Sequence, residues 1–123
     1  MIKLPPLKKK QTGKTGESFA ATFLQQKGYR IIARNFRSRF GEIDLIATHS
    51  NRLIFIEVKA RHSNLFGQPQ EAVGPHKIAA ITTTGELFIS THVGLPQQLQ
   101  IDVIAIDMSC VPAKITHLEN VTG

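Results

Sequence analysis

The stretch Gly41-Glu42-Ile43-Asp44-Leu45-Ile46-Ala47, followed after Thr48-His49-Ser50-Asn51 by Arg52-Leu53-Ile54-Phe55-Ile56-Glu57-Val58-Lys59-Ala60, reads as two apolar strands joined by a tight antiparallel turn. Side chains alternate faces along a strand, so Glu57 and Lys59, two apart, point the same way. Both segments are otherwise apolar. Charges that share a face with a core are costly unless paired or bound to a cation. Asp44, Glu57 and Lys59, with Glu17 upstream, therefore form a candidate metal-binding group.

Working outward, Tyr29 to Asn35 is β-rich and predicts a strand before these two. Ahead of it, Phe19, Ala20, Phe23 and Leu24 recur at helical spacing between about Lys14 and Lys27, with Gly28 as a C-terminal stop. Glu17 lies one turn before Ala20 and Ala21, at the margin of that stripe. Downstream, Gly74-Pro75 opens a second helix whose apolar face holds Ile78, Ile81, Gly85, Phe88 and Ile89. Gly85 and the run Thr82-Thr83-Thr84 weaken its intrinsic helicity. Ile101–Ile106 reads as a buried strand and Ile115–Val121 as a last one. The order α-βββ-α-β-β predicts an α/β domain, a mixed sheet flanked by two helices, over residues 13–123. Residues 1–12, with Pro5-Pro6 and four lysines, read as a flexible basic arm.

A chain of 123 residues is long enough for one domain that buries about two thirds of its unfolded surface. Its single cysteine, Cys110, excludes an internal disulfide and reads as a packed or inert thiol; no Cys/His zinc pattern is present. Apolar runs are too short for a membrane span, and no apolar stretch follows the basic N-terminus as a secretory signal would require. The expectation is a soluble, intracellular, cytoplasmic protein with no membrane partner. Net charge is +6, unevenly spread: residues 1–39 hold ten Lys/Arg against Glu17 alone, or +9, and the remainder is −3. Such asymmetry suggests a surface that meets a polyanion, nucleic acid before membrane. Lys8-Lys9-Lys10 is read as a solvated run. Arg30, Arg34, Arg37 and Arg39 flank the carboxylates and are candidate phosphate contacts, with Arg61 and Lys77.

Taken in order, Gly16-Glu17, Gly28-Tyr29, Arg34-Asn35, Gly41–Ala47, Phe55–Arg61, Phe66-Gly67, Glu71-Ala72-Val73, Pro75-x-Lys77, Asp102-Val103 and His117-Leu118-Glu119-Asn120 resemble the YraN-like family of uncharacterised bacterial proteins. The resemblance covers about residues 13–121. That family looks like a member of the restriction-endonuclease-like superfamily, whose core is α-βββ-α-β, and is similar in motif order to archaeal Holliday-junction resolvases. The resemblance implies a divalent-metal nuclease site made by Glu17, Asp44, Glu57 and Lys59. Two positions depart from the pattern. Ile43 stands where the superfamily often has Pro, and Gln100-Ile101 replaces an Arg-aromatic pair, so no phosphate contact or ion pair is expected from that Arg.

Phosphodiester cleavage needs an activated water and charge neutralisation at the phosphate, and Mg²⁺ or Mn²⁺ held by one or two carboxylates supplies both. Asp44, Glu57 and the backbone carbonyl of Val58 are the expected metal ligands. Glu17 would serve a second ion or a ligand water, and Lys59 would orient the water or meet developing negative charge. Glu42, two residues from Asp44 on the same face, reads first as a strand-edge charge and second as a group supporting the metal ligands from behind, and His62 and His117 read as surface or capping residues. Three function classes stay open. The first is a metal-dependent endonuclease on DNA, branched or damaged DNA included. The others are a non-catalytic nucleic-acid-binding module on the same fold, and a protein-interaction domain. The oligomeric state is open, a homodimer among the alternatives.

Overall fold

A computed structural model describes residues 12–62 and 73–122. The expected basic arm falls mostly at residues 1–11, and the loop at Phe66–Pro69 within 63–72; both lie outside the described residues. The elements run α1 (Thr12–Gln26), β1 (Arg30–Ser38), β2 (Gly41–His49), β3 (Arg52–Arg61), α2 (Pro75–Ser90), β4 (Gln98–Asp107) and β5 (Lys114–Leu118). They form an α/β fold with the α-βββ-α-β order of a restriction-endonuclease-like core. Thr12, assigned to the arm from sequence, is the first residue of α1. No helix among the described residues is long and apolar enough to cross a membrane.

One five-stranded sheet has the order β1-β2-β3-β4-β5. Only β3 and β4 are parallel, with α2 as the crossover between them. The alternation of β3 sorts the core. Ile54 and Ile56 pack with Phe19, Ala20, Ala21 and Leu24 of α1. Leu53 and Phe55 pack with Ile81 and Phe88 of α2. The helices thus cover opposite faces of the sheet.

Three turns set its geometry. Gly28 (φ 93) ends α1 in the left-handed region, and Tyr29 N–H reaches back to Leu24 O at 2.9 Å while Gly28 N–H reaches Gln25 O at 3.1 Å, a Schellman stop. Ser50 and Asn51 (φ 50 and 58) make the two-residue turn between β2 and β3, whose positive φ pair matches the strand twist. Asn120 (φ 51) turns the chain after β5. Its N–H donates to Asp102 at 2.9 Å instead of extending the ladder, so the last strand stops at Leu118, short of Val121.

Candidate metal centre

The ladder between β2 and β3 runs from His49↔Arg52 to Leu45↔Ile56 and stops there. On either side the pairing continues, β1 with β2 to Ser38↔Gly41 and β3 with β4 to Arg61↔Asp107. The sheet therefore splits at Asp44. Val58 N–H, which has lost its strand partner, donates to Asp44 Oδ2 at 2.7 Å. A local change of face accompanies the split. Arg34 pairs with Leu45 and Phe36 with Ile43, yet Leu45 packs toward α1 while Ile43 and Phe36 pack toward α2. Asn35 (φ 52), a residue type that tolerates the left-handed region, stands at this reversal.

Carboxylates reach the split from both faces. Glu17 of α1 and Glu42 of β2 place oxygens within 4.8 Å of each other and of an Asp44 oxygen. Glu57, 4% exposed, meets Asp44 from the other side by a side-chain hydrogen bond. Lys59 Nζ and Lys77 Nζ lie 3.5 and 3.4 Å from Glu57 Oε2. The sequence-derived quartet Glu17, Asp44, Glu57 and Lys59 is thus brought together around Asp44. Lys77, expected only as a phosphate contact, joins it from α2. Glu42, read from sequence as a strand-edge charge, completes the carboxylate trio, with Arg37 Nε 3.4 Å from its Oε1. Asn35 was missed as well: its side chain bonds Glu17.

Crowding shows in the titration of these groups. Burial is the main cause that pushes Asp44 up, to about 7, helped by the charges of Glu57 and Glu17 and opposed by the Val58 N–H. Glu17 is also raised, by burial first and by Glu42, although Asn35, Asp44 and Arg37 hold it back. For an acid raised on folding, the native state keeps a proton that the unfolded chain releases. Metal-free stability should therefore fall as pH rises from about 4 to about 7, between the usual aspartate pKa and the folded one. Asp44→Asn keeps an acceptor for Val58 N–H and removes the charge. In melting curves at pH 8 without metal it should be more stable than wild type, by on the order of 1–2 kcal/mol after discounting for solvent screening. Equal melting at pH 8 would refute this account of the crowding.

A second polar cluster lies around Asp102, fully buried on β4. Its Oδ1 accepts from Gln100 Nε2 (2.8 Å) and Asn120 N–H (2.9 Å), its Oδ2 from Tyr29 OH (3.0 Å), and His117 Nε2 stands at 2.8 Å. Tyr29 OH also lies 3.1 Å from Glu119 Oε1. Burial alone would raise Asp102; the bonds from His117, Asn120 and Gln100 outweigh it and hold the carboxyl below the usual range. His117 is accordingly no surface residue: its side chain is 4% exposed. Lys27 Nζ caps its Nδ1 at 2.7 Å. Asp102, His117 and Glu119 are close enough to hold a metal, but four partners already saturate the lone pairs of Asp102. The cluster reads as a lock that ties the α1–β1 connection, through Lys27 and Tyr29, to β4, β5 and the C-terminal segment. Gln100 stands where the resemblance implies an Arg, and Arg52 NH1 donates to its Oε1 at 3.0 Å.

The remaining expected contacts are dispersed. Arg30, Arg34, Arg37 and Arg39 are exposed on or just beyond the edge strand β1, and Arg61 is half-buried at the end of β3. Cys110 is exposed, not packed. An open groove of about 900 Å³, lined by Arg30, His49, Phe88 and His92 among others, lies at the opposite end of β2 and includes none of the Asp44 carboxylates.

Residues 16–106 match the model of the family described as "Uncharacterised protein family UPF0102". The UPF0102 protein of Syntrophomonas wolfei is 37% identical over 111 residues, 90% of this chain and 96% of that protein. The UPF0102 protein of Natranaerobius thermophilus is 45% identical over 114 residues, 90% and 96% of the two chains. The UPF0102 protein of Cytophaga hutchinsonii is 45% identical over 112 residues, 91% and 96%.

Proposed function

The chain belongs to the UPF0102 family, and we propose that it is a divalent-metal-dependent endonuclease acting on DNA, branched or damaged DNA included. The observation that carries the reading is the position of Asp44. Its carboxyl occupies the split in the sheet, touches Glu57 on one side and Glu17 on the other, and has Lys59 one neighbour away.

These residues fit a hard cation. The donors are all oxygens, and the Asp44 carboxyl is raised first by burial and then by the charges of Glu57 and Glu17, a repulsion that positive charge would relieve. Asp44, Glu57 and the Val58 carbonyl would hold the ion, with Glu17 and Glu42 beside them. When bound, Mg²⁺ or Mn²⁺ would neutralise the scissile phosphate and make a nearby water more acidic. Val58 N–H fixes the orientation of the Asp44 carboxyl through Oδ2. Lys59 Nζ would meet negative charge as it develops on the phosphate oxygens. Lys77, Arg34, Arg39 and Arg61 would hold the flanking backbone, with Arg37 released from Glu42 as needed.

A second reading, a binding module without catalysis, is favoured by one observation: Lys59 and Lys77 both lie within ion-pair distance of Glu57, so this carboxylate has protein cations as partners. Calorimetry with Mn²⁺ separates the two. Wild type should bind, and Asp44→Asn and Glu57→Gln should each weaken binding at least about tenfold, since even outer partners of metal ligands cost 10–100-fold. The same preparations, screened on linear, forked, flapped and four-way DNA with Mg²⁺ and Mn²⁺, should nick at least one branched or tailed substrate. Equal Mn²⁺ affinity in all three proteins, with no substrate cut, would replace the enzyme by the binding module.

A further inference from the structure

The turn between β1 and β2 is two residues long, Arg39-Phe40, and leads directly into the strand that carries Glu42 and Asp44. Phe40 is 47% exposed. Burying a phenylalanine side chain stabilises a fold, and here about half of that gain is forgone. Single exposed apolar residues are common and by themselves mean little. The mounting of this one is what distinguishes it.

Ser38 Oγ accepts the Phe40 N–H at 3.0 Å and bonds Thr84 Oγ1 of α2 at 2.9 Å. Thr84 is fully buried, so the turn is tied to the core. At the next residue, a Cβ built on Gly41 would stand 3.3 Å from Ala80 Cβ, which shows how closely the strand start seats on α2. The turn is thus held by side chains from a rigid element while its aromatic ring stays in solvent. Arg39 lies over that ring, its Cζ 4.8 Å from the centroid. Arg37 precedes the turn on β1, and no acidic residue occurs in that strand. From Phe40 to Asp44 is four residues, about 13 Å of strand, or about four stacked base steps at 3.4 Å each.

A fixed, exposed aromatic ring flanked by arginines, within a few base steps of the carboxylates, has the chemistry of a stacking platform for an unpaired base. We propose that Phe40 stacks on a nucleobase displaced from the duplex, so that the β1–β2 turn selects nucleic acid with unpaired bases next to the site. This rests on the nucleic-acid reading above and adds to it the feature of the substrate that is recognised. Fully paired DNA offers no free base face and should gain nothing from Phe40.

The chain contains no tryptophan, so Phe40→Trp supplies a single fluorescent reporter at the turn. The full chain is titrated, with Ca²⁺ as the only divalent ion, against a forked DNA and against a fully paired duplex of the same sequence. Phe40→Trp should keep fork affinity, and its emission should be quenched by the fork and not by the duplex. Phe40→Ala should weaken fork binding about tenfold and leave duplex binding unchanged. Phe40→Leu, similar in apolar bulk but without a π-face, should behave like Phe40→Ala. Equal affinities for all variants, equal loss on both DNAs, or an unquenched Phe40→Trp would overturn the proposal. So would self-association of wild type abolished by Phe40→Ala, which would make the turn a contact between copies. The two readings fail separately. Quenching on the fork without cleavage in Mn²⁺ sinks the nuclease and leaves the stacking platform, whereas fork cleavage unaffected by Phe40→Ala and Phe40→Leu does the reverse.

Discussion

Lys59→Ala should lose DNA nicking by about 10²–10³-fold in rate while retaining DNA affinity within a few-fold, a span set by what single charge-stabilising groups contribute to catalysis elsewhere. Its Nζ stands 3.5 Å from Glu57 and shares that carboxylate with Lys77. In the proposed nuclease a cation in this place would act where negative charge grows during cleavage, so its loss would fall on the transition state more than on bound substrate. Lys77 approaches from α2 and should contribute less. Variants of the proposed metal ligands would discriminate poorly, because they would remove ion and activity together. The salt dependence of binding gives an independent check. A lysine that merely neutralised one phosphate of duplex DNA would lower the slope of log K against log salt by about 0.9 on removal. An unchanged slope with lost nicking supports the catalytic role. A slope reduced by that amount, with cleavage intact, would assign Lys59 to binding alone.

The largest effect on stability is expected at Gly85. It lies inside α2, where replacing glycine by alanine ordinarily gains about 1 kcal/mol of helix propensity. Here a Cβ would fall 2.3 Å from Phe55 Cε2 and 2.4 Å from Cζ, far inside van der Waals contact. Phe55 is itself buried, on the central strand β3, so its ring must repack within the core to make room. Overpacking of this kind costs about 1–3 kcal/mol and occasionally more, so the clash should outweigh propensity and Gly85→Ala should be clearly destabilised in urea. Phe55→Leu removes the ring atoms concerned. In the double variant the penalty of Gly85→Ala should shrink by about 1 kcal/mol or more, the coupling expected of residues in contact. Additive losses would show that the helix can shift to make room.

Helical and strand periodicity in the sequence determined the order of elements, because the stripe at Phe19–Leu24 and the alternation along Arg52–Ala60 each demand one kind of backbone. The same local rules located the Gly28 stop and put the hairpin turn within Thr48–Asn51, of which Thr48 and His49 in fact extend β2 and Ser50-Asn51 make the turn. They also singled out Asp44, Glu57 and Lys59, since charges in apolar strands stand out without any tertiary knowledge. Local rules misjudged residues whose surroundings come from far along the chain. Gly85 reads as a weak point in a helix until Phe55, thirty positions earlier, is seen to need its space. His117 reads as a surface or capping residue until Asp102, Lys27 and Tyr29 close around it. Glu42 reads as an edge charge because alternation sets it beside Asp44 but says nothing of Glu17 arriving from α1. The split between β2 and β3, which lets carboxylates from both faces meet, has no signature in either strand alone. Strand pairing is a property of two segments, and where it ends depends on which backbone donors the side chains satisfy instead, here Val58 N–H by Asp44.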